Sequence, residues 1–233
     1  MLELTLAVPG GGLWSEMKEN AELASVGRQG AMNLVVRYAK QAKALLSGKI
    51  KKDKSGAWEL HVVAHSAGSI LAAHAISQLA SLGLAWKTLQ FLAPAIRMDS
   101  FKELVMPEIE AKRCPRPSLY ILNDDAERGD EVGPYGKSLL YLVSNAFEGT
   151  RGVPLLGMQK FLEADEEVRA LLSADVDGRK GIVVAGEAGE MGSVAKCGSH
   201  GGFDNDVDTM NSVLTRILGE VPGRVFVERD LQF

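Results

Sequence analysis

The sequence predicts an α/β fold: a mostly parallel central sheet of about five to six strands, flanked by helices in three layers. Three observations carry this. Short β-branched apolar runs alternate with longer stretches of helical periodicity, the middle runs are apolar on both faces, and small residues join one of them to an alanine-rich helix.

Leu2, Leu4, Leu6 and Val8 alternate with Glu3, Thr5 and Ala7, the period-two pattern of an edge strand with one wet face, ended by Pro9-Gly10-Gly11-Gly12. Leu13 to Ala24 and Ala31 to Leu46 have apolar residues at helical spacing, broken by Gly27-Arg28-Gln29-Gly30. Leu60 to Ala64 is a covered strand interrupted only by His61. The helix after it runs to about Leu82 on a stripe of Ile70, Ala73, Ile76, Leu79 and Ala80, with His74 as a structural side chain. Thr88 to Ala95 is a third strand that stops at Pro94, followed by Asp99 and a helix around Phe101 to Glu110. Ser118 to Leu122 is a fourth, with Asn123-Asp124-Asp125 at its end.

From Ala126 to Lys180 no strand signal occurs. Lys137 to Phe147 and Leu155 to Leu172 predict a helical insertion at about 126–180, a lid or pocket wall or extra helices on the sheet. Gly181 to Gly186 is a fifth strand, and a glycine-rich loop leads from it to Ser199-His200-Gly201-Gly202-Phe203. Asp204 or Asn205 then caps a final helix bearing Val207, Met210, Val213, Leu214, Ile217 and Leu218, and Arg224 to Val227 could add a terminal strand.

With 233 residues, 46% hydrophobic and 24% charged, the chain suits one domain spanning 1–233. A net charge of -4 gives no footprint for nucleic acid, and the run Lys49 to Lys54 reads as a solvated loop. Cys114 and Cys197 lack partners at metal spacing and read as plain thiols. No window is long enough to span a membrane, and no leader precedes the first element, so a cytoplasmic protein is expected.

Parallel strands deliver their C-terminal ends to one rim, where open α/β sheets bind ligands. Ser66 follows the second run on a forced strand-to-helix turn, with Ala64 and Gly68 as the small residues such a close approach needs. Asp124 follows the fourth run and His200 the fifth, giving the chain order serine, acid, histidine.

On Ala64-His65-Ser66-Ala67-Gly68, Asp124 after Tyr120-Ile121-Leu122, and His200, the chain from Leu60 onward resembles the α/β-hydrolase superfamily of serine esterases and lipases. The resemblance implies acyl transfer to water through a covalent serine ester, without metal or cofactor, on a small-molecule ester of short to medium acyl length. Ser66 would be the nucleophile, His200 the base, Asp124 the acid, Ala67 N–H an oxyanion donor and His65 a pocket residue. Asp99 and Asp125 are the alternative acids. Gly11, in Gly10-Gly11-Gly12, resembles the second oxyanion donor's loop. Equally, those glycines are an ordinary turn of a minimal or shortened member, whose first strand would expose an edge for pairing into a homodimer. A lipase, thioesterase or peptidase would use the same residues, and a non-catalytic binding protein could keep the scaffold.

Overall fold

A computed structural model describes residues 2–26, 29–47 and 58–232. Gly27, Arg28 and the basic run from Lys49 to Lys54 lie outside the described residues. Among those described, four strands form one parallel sheet: β1 (Glu59–His65), β2 (Ala85–Leu92), β3 (Ser118–Ile121) and β4 (Ile182–Val184). They stand side by side in chain order, so all four end on the same rim. β3 is buried along its whole length, as its apolar run predicts.

The sheet has four strands rather than five to six because neither terminal run joins it. Leu2–Val26 is a single helix, α1, where the sequence predicted a strand, a turn and a helix. An alternating run also repeats at i and i+4, and here the helical reading wins. Leu4 and Val8 fall on one open side, 80% and 83% exposed, while Leu6, Ala7 and Trp14 face the core. Gly10 allows close approach rather than a turn: a Cβ there would lie 2.1 Å from Cε1 of Phe147. Pro9 stands inside the helix, a cost of about 3 kcal/mol in an interior turn. Tertiary anchoring opposes that cost. Trp14 Nε1–H donates to Glu148 at 2.5 Å, and Lys18 pairs with the same carboxylate at 2.7 Å.

With Leu2 to Val8 helical, the strand expected to pair into a homodimer does not exist. β1 has only β2 beside it among the described residues. At the other terminus Phe226 is held by Asn211, whose side chain accepts from its N–H at 2.7 Å and donates to its carbonyl at 3.0 Å, in place of a strand ladder.

The helices α2 (Ala31–Ser47) and α3 (Gly68–Ala80) follow the predicted spacing. α1 packs on α3, and α3 on β1. Beyond β2 come α4 (Met98–Leu104) and α5 (Met106–Glu110). Between β3 and β4 the chain forms α6 (Asp124–Gly129), α7 (Leu139–Leu142), a π-helical turn (Val143–Phe147), α8 (Gln159–Ala164) and α9 (Glu166–Ser173). This segment is tied to the chain leaving β2: Met98 N–H donates to Pro154 O, Leu156 N–H to Ile96 O and Gly157 N–H to Pro94 O, each at 2.9 Å. Gly157 is needed there, since a Cβ would meet Pro94 O at 2.6 Å.

The last helix, α10 (Val207–Leu218), packs on β2 and is capped by Asp206, whose carboxylate accepts from Thr209 N–H at 2.9 Å; Asp204 and Asn205 do not cap it. No helix among the described residues is long and apolar enough to cross a membrane.

Candidate functional site

Ser66 ends β1 with a φ of +52°, a left-handed conformation that L-residues rarely hold and that costs about 1–3 kcal/mol unless its surroundings enforce it. Here they do. Ser66 N–H donates to Leu92 O at 2.9 Å, and its carbonyl accepts from Ser69 N–H at 3.1 Å, Ser69 Oγ–H at 2.6 Å and Ala95 N–H at 3.1 Å. The turn thus presents Oγ at the head of α3. Ala67 N–H makes no backbone hydrogen bond among the described residues. The requirement for smallness is softer than the sequence suggested: a Cβ on Gly68 would sit 3.7 Å from that of Ala64, an ordinary contact.

His200 opens a short 3-10 turn (His200–Gly202) beyond β4, and its ring meets the serine, with Nε2 2.8 Å from Ser66 Oγ. The ring is buried, and burial, reinforced by the nearby His65, pushes its pKa down to about 4, while Asp130 opposes that shift. At neutral pH the imidazole is therefore uncharged, the form that accepts a proton. A ring accepting from Ser66 at Nε2 carries its hydrogen on Nδ1, and Nδ1 is buried without a hydrogen-bond partner.

Comparison with protein-family models, curated proteins and solved structures gives no match to this chain.

The structure brings Ser66 and His200 together from 134 residues apart, but it does not bring Asp124 to them. Asp124 accepts from Tyr141 OH at 2.6 Å and pairs with Arg128 at 2.7 Å, and its own N–H donates to Gln159 Oε1 at 2.9 Å. The Tyr141 ring is in turn flanked by Lys160, 4.0 Å from its centroid, and Lys137 at 5.1 Å. Asp125 is exposed on α6. Asp99 is held by Arg97, which keeps its carboxyl below the usual carboxylate range. Gly11 lies inside α1, not on a loop after a strand, and so cannot serve as the expected oxyanion loop.

The carboxylate at His200 is Asp130, just past α6, whose Oδ2 accepts from the His200 backbone N–H at 2.8 Å. Asp130 does not stand directly at a strand end, where the sequence places its candidate acids. The signal was present: Asp130 still lies between Ser66 and His200 in chain order, displaced from β3 by one short helix. His65, expected as a pocket residue, reaches His200 as well. Its Nε2 donates to the His200 carbonyl at 2.9 Å, and the two rings lie 5.5 Å apart. His61, by contrast, lies away from the serine, its Nδ1 3.0 Å from Thr88 Oγ1 across the β1–β2 pair. Among the described residues no group of three or more His, Cys, Asp or Glu side chains could hold a metal. Burial raises both cysteine thiols to about 12, which favours the protonated form at neutral pH.

Proposed function

We propose that this protein is a serine hydrolase of the α/β-hydrolase type, a carboxylesterase that cleaves short to medium acyl esters. The observation that carries the reading is the 2.8 Å contact between a buried, uncharged His200 and a Ser66 hydroxyl on an enforced positive-φ turn. His200 Nε2 takes the proton as Ser66 Oγ bonds to the acyl carbon, and the oxyanion faces Ala67 N–H. The carbonyl re-forms, the alkoxide leaves with the proton from His200, and water repeats the sequence to release the acid and free Ser66.

Asp130 takes the role that the sequence assigned to Asp124. Its carboxylate is already bonded to His200, and the unpartnered Nδ1 of the same residue is the group a third member must hold. In this reading Asp130 turns onto Nδ1–H as the ring becomes positive, fixing the tautomer and stabilising the imidazolium.

Steady-state hydrolysis of p-nitrophenyl acetate, butyrate, octanoate and palmitate tests the proposal. Turnover should be highest on the first two, and Ser66→Ala should remove it. Turnover confined to palmitate would favour a lipase, and none on any ester would leave a thioesterase, a peptidase or a binding protein. The binding-protein reading draws support from the orphaned Nδ1, since a retired base has no need of an acid partner.

A further inference from the structure

We infer that His65 is a positioning residue: its ring clamps the peptide group of His200 and so holds the base on Ser66. The inference rests on the Ser66–His200 chemistry proposed above. A carbonyl oxygen only accepts, so the nitrogen of His65 that lies 2.9 Å from His200 O carries a hydrogen and donates it. The carbonyl it holds belongs to the peptide bond entering Gly201-Gly202, the most permissive part of the loop, where rotation would carry the base away. The other side of His200 is fixed by Asp130 through the backbone N–H at 2.8 Å. Both peptide groups around the base are therefore clamped from outside its own loop.

His65 is itself well seated. It ends β1, paired with Leu92, and its ring meets the edge of Phe203 at 6.3 Å between centroids. Its free nitrogen, Nδ1, lies 3.9 Å from Asp204 Oδ2, and the second oxygen of that carboxylate is buried without a partner. Because His65 adjoins Ser66 in the chain, one strand end carries both the nucleophile and the clamp on its base. Their spacing is set by β1 rather than by the loop.

The charged or titratable groups facing His200 are His65 from β1 and Asp130 from the segment after α6, with Asp204 behind His65. A charge on His65 opposes one on His200, so the clamp also influences the proton affinity of the base.

The test compares wild type, His65→Gln and His65→Leu. The Gln side-chain nitrogen reaches the position of imidazole Nε2 and can donate to the same carbonyl, whereas Leu cannot. In ester hydrolysis His65→Gln should keep kcat within about threefold of wild type. His65→Leu should lose about 30-fold or more in kcat with KM little changed, the signature of a misplaced reacting group. In proton NMR the His200 ring, assigned by its loss in His200→Gln, should titrate at a higher pH in both variants because the neighbouring imidazole is gone. Should His65→Leu fail to fold, His65→Asn, too short to reach the carbonyl, replaces it. An unchanged kcat in His65→Leu, or an equal loss in His65→Gln, overturns the clamp. If wild type hydrolyses no ester, the proposed function fails and the His200 ring signals decide the clamp: a displacement in His65→Leu that His65→Gln does not show supports the contact, and signals alike in the two variants overturn it.

Discussion

Ser66 and Asp124 both stand where a parallel strand ends, yet the structure holds them for different ends. Ser66 is fixed by backbone hydrogen bonds in a conformation that exposes its hydroxyl to His200. Asp124 sits in the first turn of α6, where Tyr141 OH and Arg128 engage its oxygens, and Asp130 approaches His200 instead. The contrast separates two kinds of placement. A strand followed at once by a helix fixes its turn residue by local geometry. A residue further beyond a strand, as Asp130 is beyond β3, is placed by how the loop is routed against distant side chains.

The largest effect should come at the base. His200→Ala should lower kcat/KM about 10³-fold or more, while His74→Ala, on α3, should leave it within about threefold, both measured on a short-chain ester. Comparable losses at the two histidines would erase the distinction between rim and helix.

Next in size is the acid. Asp130→Asn should reduce kcat by up to about 10⁴-fold, as loss of a triad acid does, whereas Asp124→Asn and Asp99→Asn should change it by less than about fivefold. A larger loss at Asp124 would restore the reading drawn from the sequence.

The pH profile follows from the burial of His200. Its pKa in the folded chain, about 4, lies below the ordinary 6.5, so the working uncharged ring persists as pH falls and is lost only near 4. The acid limb of kcat/KM should therefore stand near pH 4, and one near 6.5 would contradict the buried environment. For stability the sign is the same: between about 6.5 and 4 the unfolded chain binds more protons at this residue than the folded one, so its contribution falls as pH drops through that window.

The smallest effects test α1. Gly10→Ala drives a Cβ into the Phe147 ring and should destabilise the fold by about 1–3 kcal/mol in chemical denaturation. At Gly12→Ala nothing lies within 4 Å, and the change should stabilise by up to about 1 kcal/mol through helix propensity. Loss of activity without loss of stability in either variant would return these glycines to the oxyanion site.

Legibility in the sequence follows the same division. The inner strand β3, the serine turn and the loop histidine were readable because each rests on local pattern: a two-sided apolar run, small residues around Ser66, and glycines around His200. β1, expected to be covered on both faces, has a strand on one side only among the described residues and leaves Val63 41% exposed. α1 was misread because Leu2 to Val8 satisfies both a period of two and an i, i+4 repeat, and only its contacts with Phe147 and Glu148 decide. Asp130 was legible only through its chain order between Ser66 and His200, and the contact of His65 with His200 not at all, since each is made to a backbone group of a residue 70 or 135 positions away.

The central claim is that Ser66 and His200 form a working nucleophile and base. Labelling with a fluorophosphonate probe at pH 7, read by intact mass and peptide mapping, tests it most directly. One adduct on the Ser66 peptide is predicted, with labelling lost in His200→Ala and largely retained in His74→Ala. No adduct on the folded protein, an adduct elsewhere, or labelling indifferent to His200 would contradict it.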